Sequence, residues 1–288
     1  MTGPAGGRPV AVSLLGVVEH PVLDGGPYRV DADGMPYVPA GDGGIVLGLA
    51  LGDPAFGLDG DHPAPGACLV HPDPAARHAL ASLACVGNEA VVRTGAAAGS
   101  RGAVIGKRGE QGRVVAAFGA GDLVRMRPSD HVTVRACGQG WLPDGYPAQV
   151  TVRNLDPGLL AALPVTLGPD GQVLAGVRAV VGSKLAGNGL GRPSVSWDLD
   201  LQLPRPAAGD PGAVRLGDLV AVTDIDSRYN MGYRRGWLTV GIIVHGSSPQ
   251  PGHGPGLTPI LTGPAGPLAV QPDPVRHVGL TALALKLQ

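Results

Sequence analysis

The chain has 288 residues, a formal net charge of −1 and 44% hydrophobic residues, with both signs of charge scattered along its length. That balance excludes the basic stripe of a nucleic-acid binder and the polybasic segment of a protein held on anionic membranes. Glycine and proline number 48 and 29, a level that signals disorder in polar chains. Here the apolar residues fall in short runs of strand length, so the chain reads as folded and β-rich.

The remaining whole-chain features point the same way. Cys68, Cys85 and Cys137 are odd in number and widely spaced, which fits reduced thiols better than a disulfide framework, and no CxxC pair suggests zinc. Residues 1–7 form a small, glycine-containing lead without the basic and apolar regions of a signal peptide. No run approaches the roughly 20 apolar residues of a membrane-spanning helix. We expect a soluble, cytoplasmic protein.

In chain order, residues 9–18 read as a buried strand carrying Val10, Val12, Leu14 and Leu15. Residues 28–30 and 35–38 flank the turn signal at 31–34 and predict a hairpin. A glycine-rich turn at 41–44 leads into a strand over 45–49. Asp73 as N-cap, Pro74 at the first helical position and Gly87 at the far end predict a helix over 74–86. After Asn88 and Glu89 comes a strand at 90–93. The G-x3-G-x2-G-x-V run from Gly95 to Val104, with a hairpin at 108–112, resembles the strand–loop–strand core of small SH3-like barrels, the KOW motif among them. Glycine turns are what a small barrel needs to bend its strands at the corners. A shift toward Gly, Pro and Trp at 139–145 suggests a boundary. We therefore expect an N-terminal β domain over 1–140 with the SH3/KOW-like barrel and a C-terminal β-rich domain over 141–288.

In the second half, Asp156 and Pro164 bracket a short helix at 157–163. A strand over 194–202 puts Ser196, Asp198, Asp200 and Gln202 on one face, which we expect to meet solvent. Apolar strands follow at 219–222 and 237–244. The fold class is mainly β (α+β with few short helices), barrel- or sandwich-like.

Two loops stand out chemically: Asp59-Gly60-Asp61-His62-Pro63-Ala64-Pro65-Gly66 and Gly252-His253-Gly254-Pro255-Gly256. Each sets an imidazole in tight, irregular backbone, where binding groups usually sit. Asp61 and His62 can ligate a divalent metal together or act as base and orienting group. His245, eight residues before His253, belongs with that second loop. Asn88 and Glu89 are either ligands or a hydrogen-bonding cap. The 187–193 loop is dense enough in glycine to bring backbone N–H groups to an anion, and it carries Asn188 and Arg192. Asp224 and Asp226 close an apolar strand, as carboxylates do in metal sites and in plain turns alike. Cys85, at a helix C-terminus that disfavours the thiolate, reads as a core residue. There is no GxSxG elbow, HExxH, Walker motif or Rossmann fingerprint.

On Asp61-His62-x-x-Pro65-Gly66, Cys85-Val86-Gly87-Asn88-Glu89-Ala90, the 102–106 turn, Pro193-x-x-x-Trp197-Asp198-x-Asp200 and His253-Gly254-Pro255-Gly256, the chain resembles a prokaryotic family catalogued as domain of unknown function 4438. The resemblance implies a β-rich, oligomeric fold in N- and C-terminal parts, and no activity. The C-terminal half is also similar to acetamidase/formamidase-type amidohydrolases in a G-R-x5-D turn and a His-Gly-rich loop, but lacks their His-x-x-Gln-Gly-Asp-Gly-Glu signature.

Our first expectation is an enzyme acting on a small polar metabolite by metal-assisted hydrolysis of an amide-type bond. Asp61, His62, Glu89 and His253 would be catalytic, and Asn88, Asn188, Arg192, Asp198 and Asp200 would bind substrate. Asp61, His62, His253, Asp224 and Asp226 would hold Zn²⁺, Mn²⁺ or Fe²⁺, the ions such a ligand set suits. Expected partners are a small-molecule substrate and further copies of the chain, with neither membrane nor nucleic acid. The alternatives are an SH3/KOW-like module that binds RNA or protein through Lys107, Arg108, Arg113, Arg125 and Arg127, and a non-catalytic oligomeric scaffold.

Overall fold

The computed structural model describes residues 9–287 apart from 22, 24, 25, 208 and 211, so the lead at 1–7 lies outside the described residues. The first half is a closed six-stranded antiparallel barrel. Around it run Val12–Val18, His131–Ala136, Glu89–Val92, Arg101–Arg108, Arg113–Phe118 and Gly66–Val70. The last strand returns to the first through the pairs Val17–Val70 and Val18–Leu69. Closure removes the free edges that an open antiparallel sheet would expose.

The barrel interior is small and apolar: Val18, Leu69, Val104, Val114, Ala116, Val132 and Val134 fill it, under Leu80 and Ala84. The alternate residues Ile105, Val115 and Ala117 point outward into a second core, shared with Val240, Ile242, Val244 and Ile260. That explains why Arg113–Phe118 is buried along its whole length. A strand covered on both faces shows a continuous apolar run rather than alternation.

The outer cover is the second sheet, ordered Thr151–Val152, Gly256–Pro264, Gly232–His245, Leu219–Asp226 and Ala179–Gly182, with Leu199–Asp200 also paired to Gly256–Pro264. The two bodies meet closely at Gly106, where an added Cβ would overlap Val244. Beneath the far face of the sheet lies a third core, including Leu199, Leu201, Val220, Val222, Ile243 and Leu257.

The mainly β fold with a small barrel in the N-terminal half is as expected, and the hairpin Arg29–Val30 with Pro36–Tyr37 forms. Both helix caps are also as read. Asp73 accepts from Ala76 N and Asp156 from Gly158 N. The helix ends differ: the first spans Pro74–Leu83 and the second Pro157–Leu160. The first stops before Gly87 because Ala84 is already extended and the N–H of Cys85 goes to the Asn88 side chain. A larger difference concerns 194–202. Only Leu199–Asp200 is strand, and Ser196, Asp198 and Asp200 are buried rather than solvated. No helix among the described residues is long and apolar enough to cross a membrane.

Candidate metal centre in the seam

Segments from both bodies converge where the 109–112 hairpin turn of the barrel meets the rim of the second sheet. His62 comes from the loop before Gly66–Val70, and His245 is the last residue of Gly232–His245. His253 lies in the loop that follows, Asp198 and Asp200 flank Leu199, and Glu110 projects from the barrel turn.

The local backbone at His62 is unusual. Its φ is +50°, a left-handed conformation that costs a non-glycine residue about 1–2 kcal/mol, and it precedes a proline, which further restricts it. The loop is held there by Asp61 N donating to Ala40 O and His62 N donating to Ser247 O. At the next strand, Gly256 lies directly against His245 and Asp198, leaving no space for a side chain.

His62 Nε2 is 3.0 Å from His253 Nδ1 and 3.6 Å from Asp200 Oδ2. His253 Nδ1 is 2.9 Å from Asp200 Oδ2 and 3.8 Å from Glu110 Oε1. These four donor atoms, one each from His62, Glu110, Asp200 and His253, all lie within 4.8 Å of one another. Asp200 Oδ2 is buried and accepts no hydrogen bond. It lies close to two imidazole nitrogens, His253 Nδ1 and His62 Nε2. On the same carboxylate, Oδ1 faces His245 Nε2 at 3.5 Å, which also contacts Asp198 Oδ2 at 2.7 Å.

Asp61 stands behind His62, with Oδ1 at 2.6 Å from His62 Nδ1. Its other oxygen accepts from Arg29 at 2.7 Å, Tyr37 OH at 3.0 Å and Gln250 Nε2 at 2.9 Å. Oδ2 of Asp61 is therefore fully committed, while Oδ1, in ion-pair contact with Nδ1, holds the His62 ring with Nε2 turned toward Asp200. A carboxylate behind a histidine in this way is the usual orienting partner of a metal-ligating imidazole.

The electrostatics follow from the packing. Burial by itself would push the His62 imidazolium down, but Asp200 and Asp61 outweigh it and bring its pKa up to about 9. Burial likewise favours the neutral acid at Asp61 and Asp200, yet the adjoining imidazoles hold both carboxyls well below the usual carboxylate range. Ion pairs then extend outward. Arg29 also meets Asp42 at 3.1 Å, Arg108 meets Asp42 at 2.8 Å, and Arg113 bridges Asp42 at 3.1 Å and Glu19 at 2.6 Å.

Several residues singled out in the sequence lie elsewhere. Asn88 is buried and accepts from Cys85 N and Cys137 N while donating to Cys137 O and Asp156, the work of a cap. Glu89 is exposed and pairs with Arg101. Asp224 accepts from Gly236 N, and Asp226 is taken by Arg228 and Arg234. Arg192 lies over the Trp197 ring at 4.8 Å. Asn188 does approach the cluster, donating to Glu110 Oε1 at 2.6 Å. Cys85 is a core residue, and burial pushes its thiol up to about 12.

Three of the five basic residues expected to touch phosphate are inside the protein. Arg108 and Arg113 are paired as above, and Lys107 is fully buried on Asn154 Oδ1 at 2.7 Å, its ammonium pushed down by burial to about 7. Glu110, Asp42, Arg29, Tyr37 and Gln250 were not anticipated. The available signal was Lys107-Arg108-Gly109-Glu110 itself, charges ending an otherwise apolar strand.

Fold and site together define a barrel-and-sheet protein with a histidine–carboxylate cluster buried where the two parts meet. Profiles of the domain of unknown function DUF4438, N-terminal and C-terminal, match residues 28–161 and 162–278, and the chain belongs to this family. It is similar to a solved structure described as "Crystal structure of TM1086", with a TM-score of 0.88 and 32% identity over 95% of this chain and 98% of that one. No curated protein matches it.

Proposed function

We propose that the chain is a metal-dependent hydrolase that cleaves an amide-type bond in a small polar substrate. The observation that carries this reading is the convergence of His62 Nε2, His253 Nδ1, Asp200 Oδ2 and Glu110 Oε1, with a buried Asp200 oxygen that accepts no hydrogen bond. A divalent cation can replace the protons that such converging imidazole and carboxylate donors otherwise share. Mixed imidazole and carboxylate donors suit Zn²⁺, Mn²⁺ or Fe²⁺ better than Ca²⁺.

An ion held there would polarise a substrate carbonyl and acidify bound water. The protein's own part is orientation. Asp61 keeps the His62 ring turned inward, and Asn188 steadies Glu110. A cavity of about 250 Å³ opens beside His253, lined by Phe56, Leu58, Arg205, Ser247 and Ser248. Its size and mixed lining suit a small polar metabolite.

The test is elemental analysis of purified protein after reconstitution with each ion and dialysis, followed by a panel of simple amides and esters. We expect bound metal in the wild type, none at this site in a folded His62→Ala/His253→Ala double variant, and metal-dependent hydrolysis of at least one amide. Metal content unchanged in the folded double variant overturns the reading.

A further inference from the structure

Half of the buried polar cluster is not used by the four donors above. His245 is 1% exposed, and its Nε2 faces Asp198 Oδ2 at 2.7 Å and Asp200 Oδ1 at 3.5 Å. Its other nitrogen, Nδ1, lies 2.9 Å from the carbonyl oxygen of Gly246 and 3.3 Å from the backbone nitrogen of Gly256. The N–H of Gly256 donates to Nδ1, so the proton of the neutral ring is on Nε2 and is donated to Asp198 Oδ2. That proton lies where the donor atoms of Asp198, Asp200 and His245 converge, the place a cation takes when its binding displaces the proton.

The charge balance of the seam shows a deficit of positive charge. The described ion pairs link six carboxylates, Glu19, Asp42, Asp61, Glu110, Asp198 and Asp200, through the imidazoles and only three arginines, Arg29, Arg108 and Arg113. With His62 charged as well, two negative charges are left over beside His245 and His253 in a largely buried region. Desolvated carboxylates in that number need protons or cations beside them. The donor atoms of Asp198, Asp200 and His245 lie within 4.8 Å of one another. Gly256, packed on both His245 and Asp198, keeps those two side chains from withdrawing.

We infer that Asp198, His245 and Asp200 form a second cation site, and that Asp200 bridges the two, offering Oδ2 to the first ion and Oδ1 to the second. The inference rests on the metal-binding reading of the first site and deepens it. The centre takes a pair of divalent ions of the zinc, manganese or iron kind, sharing one carboxylate. Paired ions of this sort clamp the oxygens at a displacement centre, and they orient the substrate as well as activating it. Asp198 is also fixed from the barrel side, because its Oδ1 accepts from Gly109 N at 3.0 Å. The second site thus takes its ligands from the second body and is braced by the barrel, whereas the first takes Glu110 from the barrel itself.

The experiment counts ions. Full-length protein stripped with a chelator is titrated with Mn²⁺ and with Zn²⁺, the bound metal is measured by elemental mass spectrometry, and the Mn²⁺ form is examined by electron paramagnetic resonance. Two equivalents in the wild type, with a spin-coupled Mn²⁺ signal, are expected. His245→Gln and the near-isosteric Asp198→Asn should each bind one equivalent and lose the coupling. One equivalent in the wild type overturns the second site and leaves the first standing, whereas no bound metal removes both readings. Two equivalents in folded forms of both variants overturn the ligand assignment. If neither variant folds, the wild-type count and its coupling still decide.

Discussion

The loop at Asp61 and His62 and the strand end at Asp224 and Asp226, where the pairing of Leu219–Asp226 with Gly232–His245 bulges at Asp224, carry similar signals and end in opposite circumstances. Each joins carboxylates to irregular backbone, and each contains a non-glycine residue at positive φ, +50° at His62 and +59° at Asp224. Asp226 is satisfied by Arg228 and Arg234, two and eight residues away, and both arginines lie over the Trp237 ring at 4.2 Å. Asp61 is satisfied by Tyr37, Arg29 and Gln250, at separations of 24, 32 and 189 residues. The difference teaches that a carboxylate with arginines nearby in sequence is neutralised where it stands. One that must collect partners from across the fold is drawn into a buried seam, where its charge has chemical consequences.

The strongest way to break this comparison is steric. Gly256→Ala drives a Cβ into His245 and Asp198, and overpacking of this kind should cost about 3 kcal/mol, read as a lower urea midpoint. Gly232→Ala, beside the bulge and clear of close neighbours, should stay within about 0.5 kcal/mol. Equal losses would mean that the seam is no more tightly packed than the rim.

A smaller effect sharpens the contrast chemically. Asp61→Asn removes the carboxylate that orients His62, so calorimetric affinity for Zn²⁺ should fall by about 10- to 100-fold. Asp226→Asn should leave that affinity unchanged.

The smallest expected effect is the pH dependence of the bulge. Burial raises the Asp226 pKa, but hydrogen bonds from Arg228 and Arg234 outweigh it, and the folded value lies below the ordinary one. Its contribution is therefore present above the unfolded pKa and is lost as pH falls through the folded value. The gap between wild type and Asp226→Asn should be about 1 kcal/mol or less at pH 6 and should close toward pH 3. A gap that widens on acidification contradicts the assignment.

What could be read from the residues was what is decided locally. Asp73 and Asp156 declare helix starts because a cap needs only its next few residues, and glycine spacing declares the barrel because each corner is a local bend. The helix stop at Leu83 was less legible, since it depends on Asn88 reaching back to Cys85 N. Asn88 alone was compatible with cap or ligand. The pairing of His62 with His253 spans 191 residues and leaves no local trace. Asp198 and Asp200 looked like the wet face of a strand because alternation reports which residues share a side, and not what covers it. Glu110 was overlooked because a hairpin-turn glutamate is ordinarily solvated, and only docking of the barrel against the second sheet brings it to His253.

That docking also sets an order of assembly. The barrel must first join Val12–Val18 to His131–Ala136 and to Gly66–Val70, and the seam, which brings His62 to His253 across 191 residues, needs that barrel and the second sheet both in place, so its contacts form late. Interactions absent from the folding transition state act on the rate of unfolding rather than of folding. Whatever binds in the seam therefore works as a latch: it leaves the speed of folding almost unchanged and lengthens the lifetime of the closed protein against proteolysis and heat.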